Sequence, residues 1–291
     1  MSEKRLPDAR AALASLRTNG NQFETVPLAP RPLGGVTFLH PRDGNRPVEA
    51  DPRVLAASGQ IYMADERLRR AVHSAGGRTA SLRAGADFLM QTFAQPRLVW
   101  GVSGYATIGF PCASQADTLV ALYRYLANNV RRPVLVCDGA AGAGVLGISG
   151  VLAAEHSIPT LGITPLQGMS TMAPRTHMLV YGDTYQQREV IVGLVPDILV
   201  IVGGGPGAQR EGVATLNSGG RVLLLDDPRN SSIPWRTVPE MALAVREKRM
   251  LVRGKLDEIP AAASELRDVA VRTMRSFRDS RLRAIRRRFG I

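Results

Sequence analysis

The sequence predicts an α/β fold: a Rossmann-like, doubly wound parallel sheet, with an N-terminal extension before it and a basic C-terminal helix after it. Three observations carry this expectation. Between about residues 96 and 228, short apolar runs alternate with segments of helical spacing, as repeated strand–helix units do. The runs are apolar throughout rather than alternately apolar and polar, which suits strands covered on both faces. Three of them end in glycine-rich turns, and open α/β sheets bind ligands at the carboxyl ends of their strands.

Residues 1–95 form the extension. The first fifty are rich in Pro, Gly, Arg and Asn, with a short helix expected over Asp8–Arg17 and a strand at Gly35–Leu39. Residues 51–95 read as helical: ADERLRRAVHSAG sets Leu68, Ala71 and Val72 on one face and is closed by Gly76-Gly77, and a second helix is expected over Ala80–Phe93. Within residues 96–228 the expected strands are Leu98–Val102, Val134–Cys137, Thr160–Thr164, Met178–Tyr181, Asp197–Val202 and Arg221–Asp226. Helices are expected at Gln115–Asn129, Gly147–His156, Gln186–Leu194 and Gln209–Ser218. Residues 229–291 are punctuated by Pro234, Pro239 and Pro260, after which Ala261–Phe289 reads as one helix with nine arginines between Arg267 and Arg288. Leu266, Val269, Ala270, Thr273, Phe277, Ala284 and Ile285 give that helix an apolar stripe. Two roles stay open for it: packing on the domain or on a second subunit, or an electrostatic arm for an anionic partner.

Composition sets outer bounds. With 291 residues, of which 45% are hydrophobic, the chain can build a sizeable core, so a disordered chain is excluded. The net charge of +12 suits contact with nucleic acid, anionic lipid or nucleotide phosphates without choosing among them. Cys112 and Cys137 have no CxxC spacing, and Cys137, inside VLVCD, reads as a small buried hydrophobe. His40, His73, His156 and His177 show no metal-ligand spacing, so neither a metal nor a resident cofactor is expected. The N-terminal residues lack a signal-like apolar stretch and no run approaches ~18 apolar residues, so the expected location is cytoplasmic, with no membrane partner.

The glycine turns carry the chemistry. The first, GVSGYATIG, has Gly104 for a tight turn and hydroxyls on Ser103 and Tyr105. The second, DGAAGAGVLGISG over residues 138–150, leads into a helix whose first N–H groups favour an anion. It is neither a Walker A loop nor a clean GxGxxG, and Asp138 reads as a turn or ribose contact. The third, DILVIVGGGPGAQRE, runs from an apolar strand into Gly203-Gly204-Gly205-Pro206-Gly207 and then a helix. Such a turn aims several amides at one point. Glu211 is expected in the first turn of the helix that follows, where it complements the dipole or faces a ligand, and Arg188 comes from the helix before the strand.

The order of these motifs resembles the SLOG superfamily, especially the Lonely Guy, or lysine-decarboxylase-like, phosphoribohydrolases. The family signature PGGxGTxxE is similar to GGGPGAQRE at residues 203–211, with Gly204, Gly205, Gly207 and Glu211 in register. The family's Met-x-x-Arg-Lys turn resembles YQQRE, which sets Arg188 on the arginine. Its GGGxxGLMG loop resembles GAAGAGVLG, matching at Gly139, Gly144 and Gly147, with GITP following at residues 162–165, and the first loop matches at Gly104. The resemblance implies an AMP-like ligand whose phosphate rests on residues 203–207 and Ala208, with Gly104 and Tyr105, Gly139, Gly144 and Gly147 lining the site. Arg188 and Glu211 would flank the ribose as catalytic residues. It also implies a homo-oligomer, most often a dimer. Departures are Ala208 for Thr, Gly203 for Pro, Glu189 for Lys, and Ala140-Ala141 within the triple glycine.

Three functions are therefore expected to compete. The first is hydrolysis of the N-glycosidic bond of a nucleoside 5′-monophosphate to free base and ribose 5-phosphate, in which a carboxylate near the sugar stabilises an oxocarbenium-like state. The second is sensing of a nucleotide without turnover. The third is binding of single-stranded nucleic acid, since REVIVGLVPDILVIV also resembles the DNA-processing protein A family.

Overall fold

A computed structural model describes residues 36–39, 47–106, 113–129, 134–225 and 233–290. The helix expected over Asp8–Arg17, and Cys112, lie outside the described residues. The first strands, β1 (Val36–Leu39) and β2 (Pro47–Ala50), pair antiparallel with each other. Then follow α1 (Pro52–Ala57), β3 (Gln60–Met63), α2 (Glu66–Ser74), β4 (Arg78–Ser81), α3 (Leu82–Ala94) and β5 (Leu98–Gly104). The middle of the chain continues as α4 (Ala113–Asn129), β6 (Val134–Asp138), α5 (Gly144–Glu155), β7 (Thr160–Thr164), β8 (His177–Val180), α6 (Tyr185–Leu194) and β9 (Ile198–Val202). It closes with α7 (Pro206–Asn217), β10 (Arg221–Leu225), α8 (Pro239–Arg246), β11 (Met250–Arg253) and α9 (Ile259–Phe289).

Nine strands, β3 to β11, form one parallel sheet in the order β11-β10-β9-β5-β6-β7-β8-β3-β4. The expected doubly wound α/β architecture is present. Its extent exceeds residues 96–228 on both sides, because β3 and β4 come before residue 96 and β11 after residue 228. The stretch 51–95 contains its two helices and, besides them, those two strands. Each is only four residues long, and the edge strand β4, Arg-Thr-Ala-Ser, has no fully buried residue. Short strands with a polar edge leave no apolar run to read.

Both faces of the sheet are covered. On one, α2, α4 and α5 bury Leu68, Leu119, Leu122 and Leu152 against Ile61, Trp100, Val136 and Val200. On the other, α3, α6, α7 and α8 bury Leu89, Ile191, Leu216 and Met241 against Val99, Leu135, Ile201 and Leu224. Full burial of such side chains contributes about 1.5–3 kcal/mol each. Cys137 is a fully buried free thiol within this core, and burial pushes its pKa up.

The long basic helix α9 has 31 residues, about 46 Å at 1.5 Å per residue. Its first half packs Ile259, Ala263, Leu266 and Met274 on the first face. Ile285, near its end, joins the core of the second face. Between these points α9 passes beneath the amino-terminal ends of the strands, where Arg278 and Arg281 grip Asp197, the residue before β9. Arg278 also donates to the carbonyls of Phe93, Gln95 and Arg97, and Arg281 to that of Ser218. Both arginines are buried, so this part of the arginine-rich segment is a tie across the bottom of the sheet. Among the described residues no helix is long and apolar enough to cross a membrane.

Candidate functional site

The chain leaves β5 by α4 on one face and leaves the neighbouring β9 by α7 on the other. Adjacent strands whose connections depart to opposite faces open a crevice between their carboxyl ends. The three glycine loops meet at this point. Val145, in the first turn of α5, donates its N–H to Tyr105 O at 2.8 Å. A Cβ on Gly104 would strike Val202 O and the Val145 side chain, so this position accepts only glycine. Gly203 and Gly204 hold φ of 63° and 106°, in the left-handed region. A Cβ on Gly204 would lie 2.6 Å from Ala208 Cβ and 3.3 Å from Gly104 Cα, so the first and third loops touch.

Gly205 is the N-cap of α7 and Pro206 its first residue. Among the described residues a Cβ on Gly205 would meet nothing within 4 Å. Among the described residues no side chain caps this helix, and its first turn holds no acid, because the helix begins at Pro206 and Glu211 lies beyond that turn rather than in it as expected; the first amides of a helix lack intrahelical acceptors. The hairpin therefore presents a partial positive charge to the crevice.

Arg188 and Glu211 are brought into direct contact beside it. A capping box at Thr184 and Gln187 starts α6 and fixes Arg188 in its first turn. Arg188 Nη2 donates to Glu211 Oε1 at 2.7 Å, and Ser103 Oγ donates to Glu211 Oε2 at 2.5 Å. Arg188 Nη1 reaches Ile163 O at 3.4 Å, and Tyr185 lies 5.7 Å from the guanidinium. A Cβ on Gly139 would sit 2.5 Å from Arg188 Nη1, so the glycine of the second loop makes room for this arginine. Arg188 is 8% and Glu211 4% exposed, and among the described residues Arg188 Nε has no partner. Burial pushes the Glu211 carboxyl above its ordinary pKa, against the Arg188 guanidinium and the Ser103 hydroxyl, which hold it down.

Other residues singled out from the sequence have different neighbours. Glu189, where the resemblance would set a lysine, is buried and paired with Arg210 at 2.5 and 3.0 Å. Arg210 therefore neutralises that exchange. Gly144 has φ of 61°, whereas Gly147 lies inside α5 with its N–H already given to Ala143 O at 3.1 Å. Asp138 is fully buried with both oxygens engaged: Oδ1 accepts from Ala140 N at 2.7 Å, and Oδ2 from Arg175 Nη2 at 3.0 Å and Ser149 Oγ at 3.3 Å. It holds a turn, one of the two roles expected for it, and forms a buried ion pair with Arg175. Ala140 keeps φ of 59°, a conformation that costs a non-glycine residue about 1–2 kcal/mol.

A second divergence of connections occurs between β8 and β3, whose helices α6 and α2 lie on opposite faces. A cavity of about 590 Å³ opens there, lined by Met63, Asp65, Tyr181, Gln187 and Arg288 among others. Nothing in the sequence pointed to it, because β3 itself was not legible.

A family model described as the SLOG cluster4 family matches residues 98–250. Comparison with curated proteins finds no match. Among solved structures, the chain is similar to the molybdenum cofactor binding protein of Rippkaea orientalis, with 19% identity over 60% of this chain and 98% of that one and a TM-score of 0.47. It is also similar to the molybdenum cofactor carrier protein of Chlamydomonas reinhardtii, with 22% identity over 58% of this chain and 98% of that one and a TM-score of 0.46.

Proposed function

The chain belongs to the SLOG cluster4 family, and we propose on that premise that it binds a phosphorylated, nucleotide-like ligand in the β5–β9 crevice and holds it without turnover. The observation that carries this reading is the helix start at Gly205, open among the described residues, with the first glycine loop against Gly204 and Arg188 paired to Glu211 of the same helix. A phosphoryl group fits the amides at the start of α7. Binding is favoured over hydrolysis because both Glu211 oxygens are occupied, one by Arg188 and one by Ser103. A carboxylate so engaged is not presented to a sugar.

Hydrolysis of the glycosidic bond of a nucleoside 5′-monophosphate is the second reading. It is supported by the contact of Arg188 with Glu211: a ligand phosphate or ribose that draws Arg188 away would leave Glu211 Oε1 to face the developing oxocarbenium charge.

Melting the protein with AMP, GMP or CMP, then chromatographing the mixture, separates these readings. At a hundredfold excess over Kd, bound nucleotide stabilises by about 2.7 kcal/mol and is expected back intact. Gly205→Asp has room for its side chain and supplies a favoured N-cap residue. It is expected to keep or raise the melting temperature of the free protein while abolishing the nucleotide shift. Release of free base that vanishes in Glu211→Gln would instead establish hydrolysis. Absence of any nucleotide shift, or a shift that survives Gly205→Asp, would overturn the binding assignment.

A further inference from the structure

At the amino-terminal end of the sheet, opposite the crevice, lies a group of arginines with no role in the site above. Arg221 opens β10 and Arg249 immediately precedes β11. The register that pairs Val222 with Met250 sets these two arginines side by side on neighbouring strands. Strand alternation turns them toward the face of Leu223 and Leu251, which α9 covers. From α9 comes Arg281, whose Nη2 would lie 2.8 Å from a Cβ on Gly220, and Arg272, on the exposed side of the same helix, adds a weaker like charge at Arg221.

The two carboxylates in contact with this group are already engaged. Asp197 serves Arg278 and Arg281, and Glu247 serves Arg249. Arg221 is 6% exposed, and among the described residues its Nε has no partner. Among the described residues neither the Arg221 nor the Arg272 side chain makes a hydrogen bond or ion pair. Like charges opposite one another on paired strands destabilise a sheet, and a buried cation without a counter-charge costs more. Burial first, then Arg249, Arg281 and Arg272, holds the Arg221 guanidinium below its ordinary pKa.

We propose that Arg221, Arg249, Arg272 and Arg281 form a second anion site, built for a phosphoryl dianion, at the amino-terminal end of β10 and β11. Guanidinium groups present paired N–H donors that match phosphate oxygens. A dianion supplies the charge that Asp197 and Glu247 do not.

The test uses the full chain carrying Gly205→Asp, so that phosphate bound in the crevice does not contribute. Inorganic phosphate and pyrophosphate are titrated calorimetrically against chloride at matched ionic strength. Both are expected to bind and to raise the melting temperature. Arg221→Met is expected to melt at the same temperature as its parent or higher in chloride, and to weaken phosphate binding at least tenfold. Arg272→Gln, on the exposed side of α9, is expected to weaken it about threefold to tenfold and decides the matter if Arg221→Met does not fold. Equal phosphate affinity with and without Arg221 or Arg272, or no phosphate response beyond that of chloride, would overturn the proposal. So would a single-stranded oligonucleotide that binds in an Arg221-dependent way where phosphate and pyrophosphate do not.

Discussion

Arg188 and Glu211 neutralise each other in a place that water barely reaches, so removing one strands the other. Arg188→Ala is expected to cost about 3–5 kcal/mol of stability in urea unfolding. Replacing both residues together by Met and Leu should restore most of that loss, because the cost lies in the orphaned charge. His177 makes a pH-dependent contribution of a different kind. It stacks 4.0 Å from Phe88 between ring centroids and meets Tyr62 Oη at 3.3 Å. Burial, then Arg97, holds its pKa below 6.5. Below pH 6.5 the unfolded chain takes up this proton before the folded one does, so stability should fall as pH drops through that value. In His177→Phe, the acid limb of the stability profile should flatten while stability at pH 8 changes little. What was legible in the sequence is the turn itself, since glycines in series before a helix suit the left-handed backbone that Gly203 and Gly204 adopt, and the structure brings together Arg188 and Glu211, which the sequence had singled out separately. Asp138–Arg175 and Glu189–Arg210 were not legible. Their partners lie 37 and 21 residues apart, and nothing local in the chain announces such a meeting.

At the scale of the element, α9 shows how a basic helix can be read two ways at once. Its apolar stripe does pack on the sheet, but two of its arginines pack there too. Arg278→Ala would leave the Asp197 carboxylate with Arg281 alone among side chains, and would strip three carbonyls of their donor. A loss of about 3–5 kcal/mol in chemical denaturation is expected. Arg283→Gln and Arg287→Gln lie on the exposed side and should change stability by no more than about 0.5 kcal/mol. Periodicity alone could not separate these groups, since a guanidinium counts as polar in any hydrophobic pattern while its stem and fork can fill a buried gap. The strands β5, β6, β7 and β9 were legible because their runs are apolar or small throughout, save Asp138 at the end of β6. By contrast β3 and β4 were hidden by their brevity and polarity.

For the whole molecule, the continuous sheet decides how the chain comes apart. Strands from residues 60–81 are hydrogen-bonded, through β8, to those of the central motif, so the limits at residues 96 and 228 do not separate independent cores. Urea unfolding followed by tryptophan fluorescence, with Trp100 fully buried in β5, should coincide with far-UV circular dichroism in one transition. An early separate loss of structure from residues 51–95 would count against this unity. The tie under the sheet also dictates a schedule for the newborn polypeptide. Asp197 is made 81 residues before Arg278, an interval of about 4–16 s at the ribosome. Through that interval a carboxylate destined for the interior has the Val99 amide but no guanidinium to meet its charge, and the floor of the sheet stays unlatched. Nascent chains halted before Arg278 should therefore hover short of the finished architecture, and fragments cut there would make poor surrogates for ligand studies.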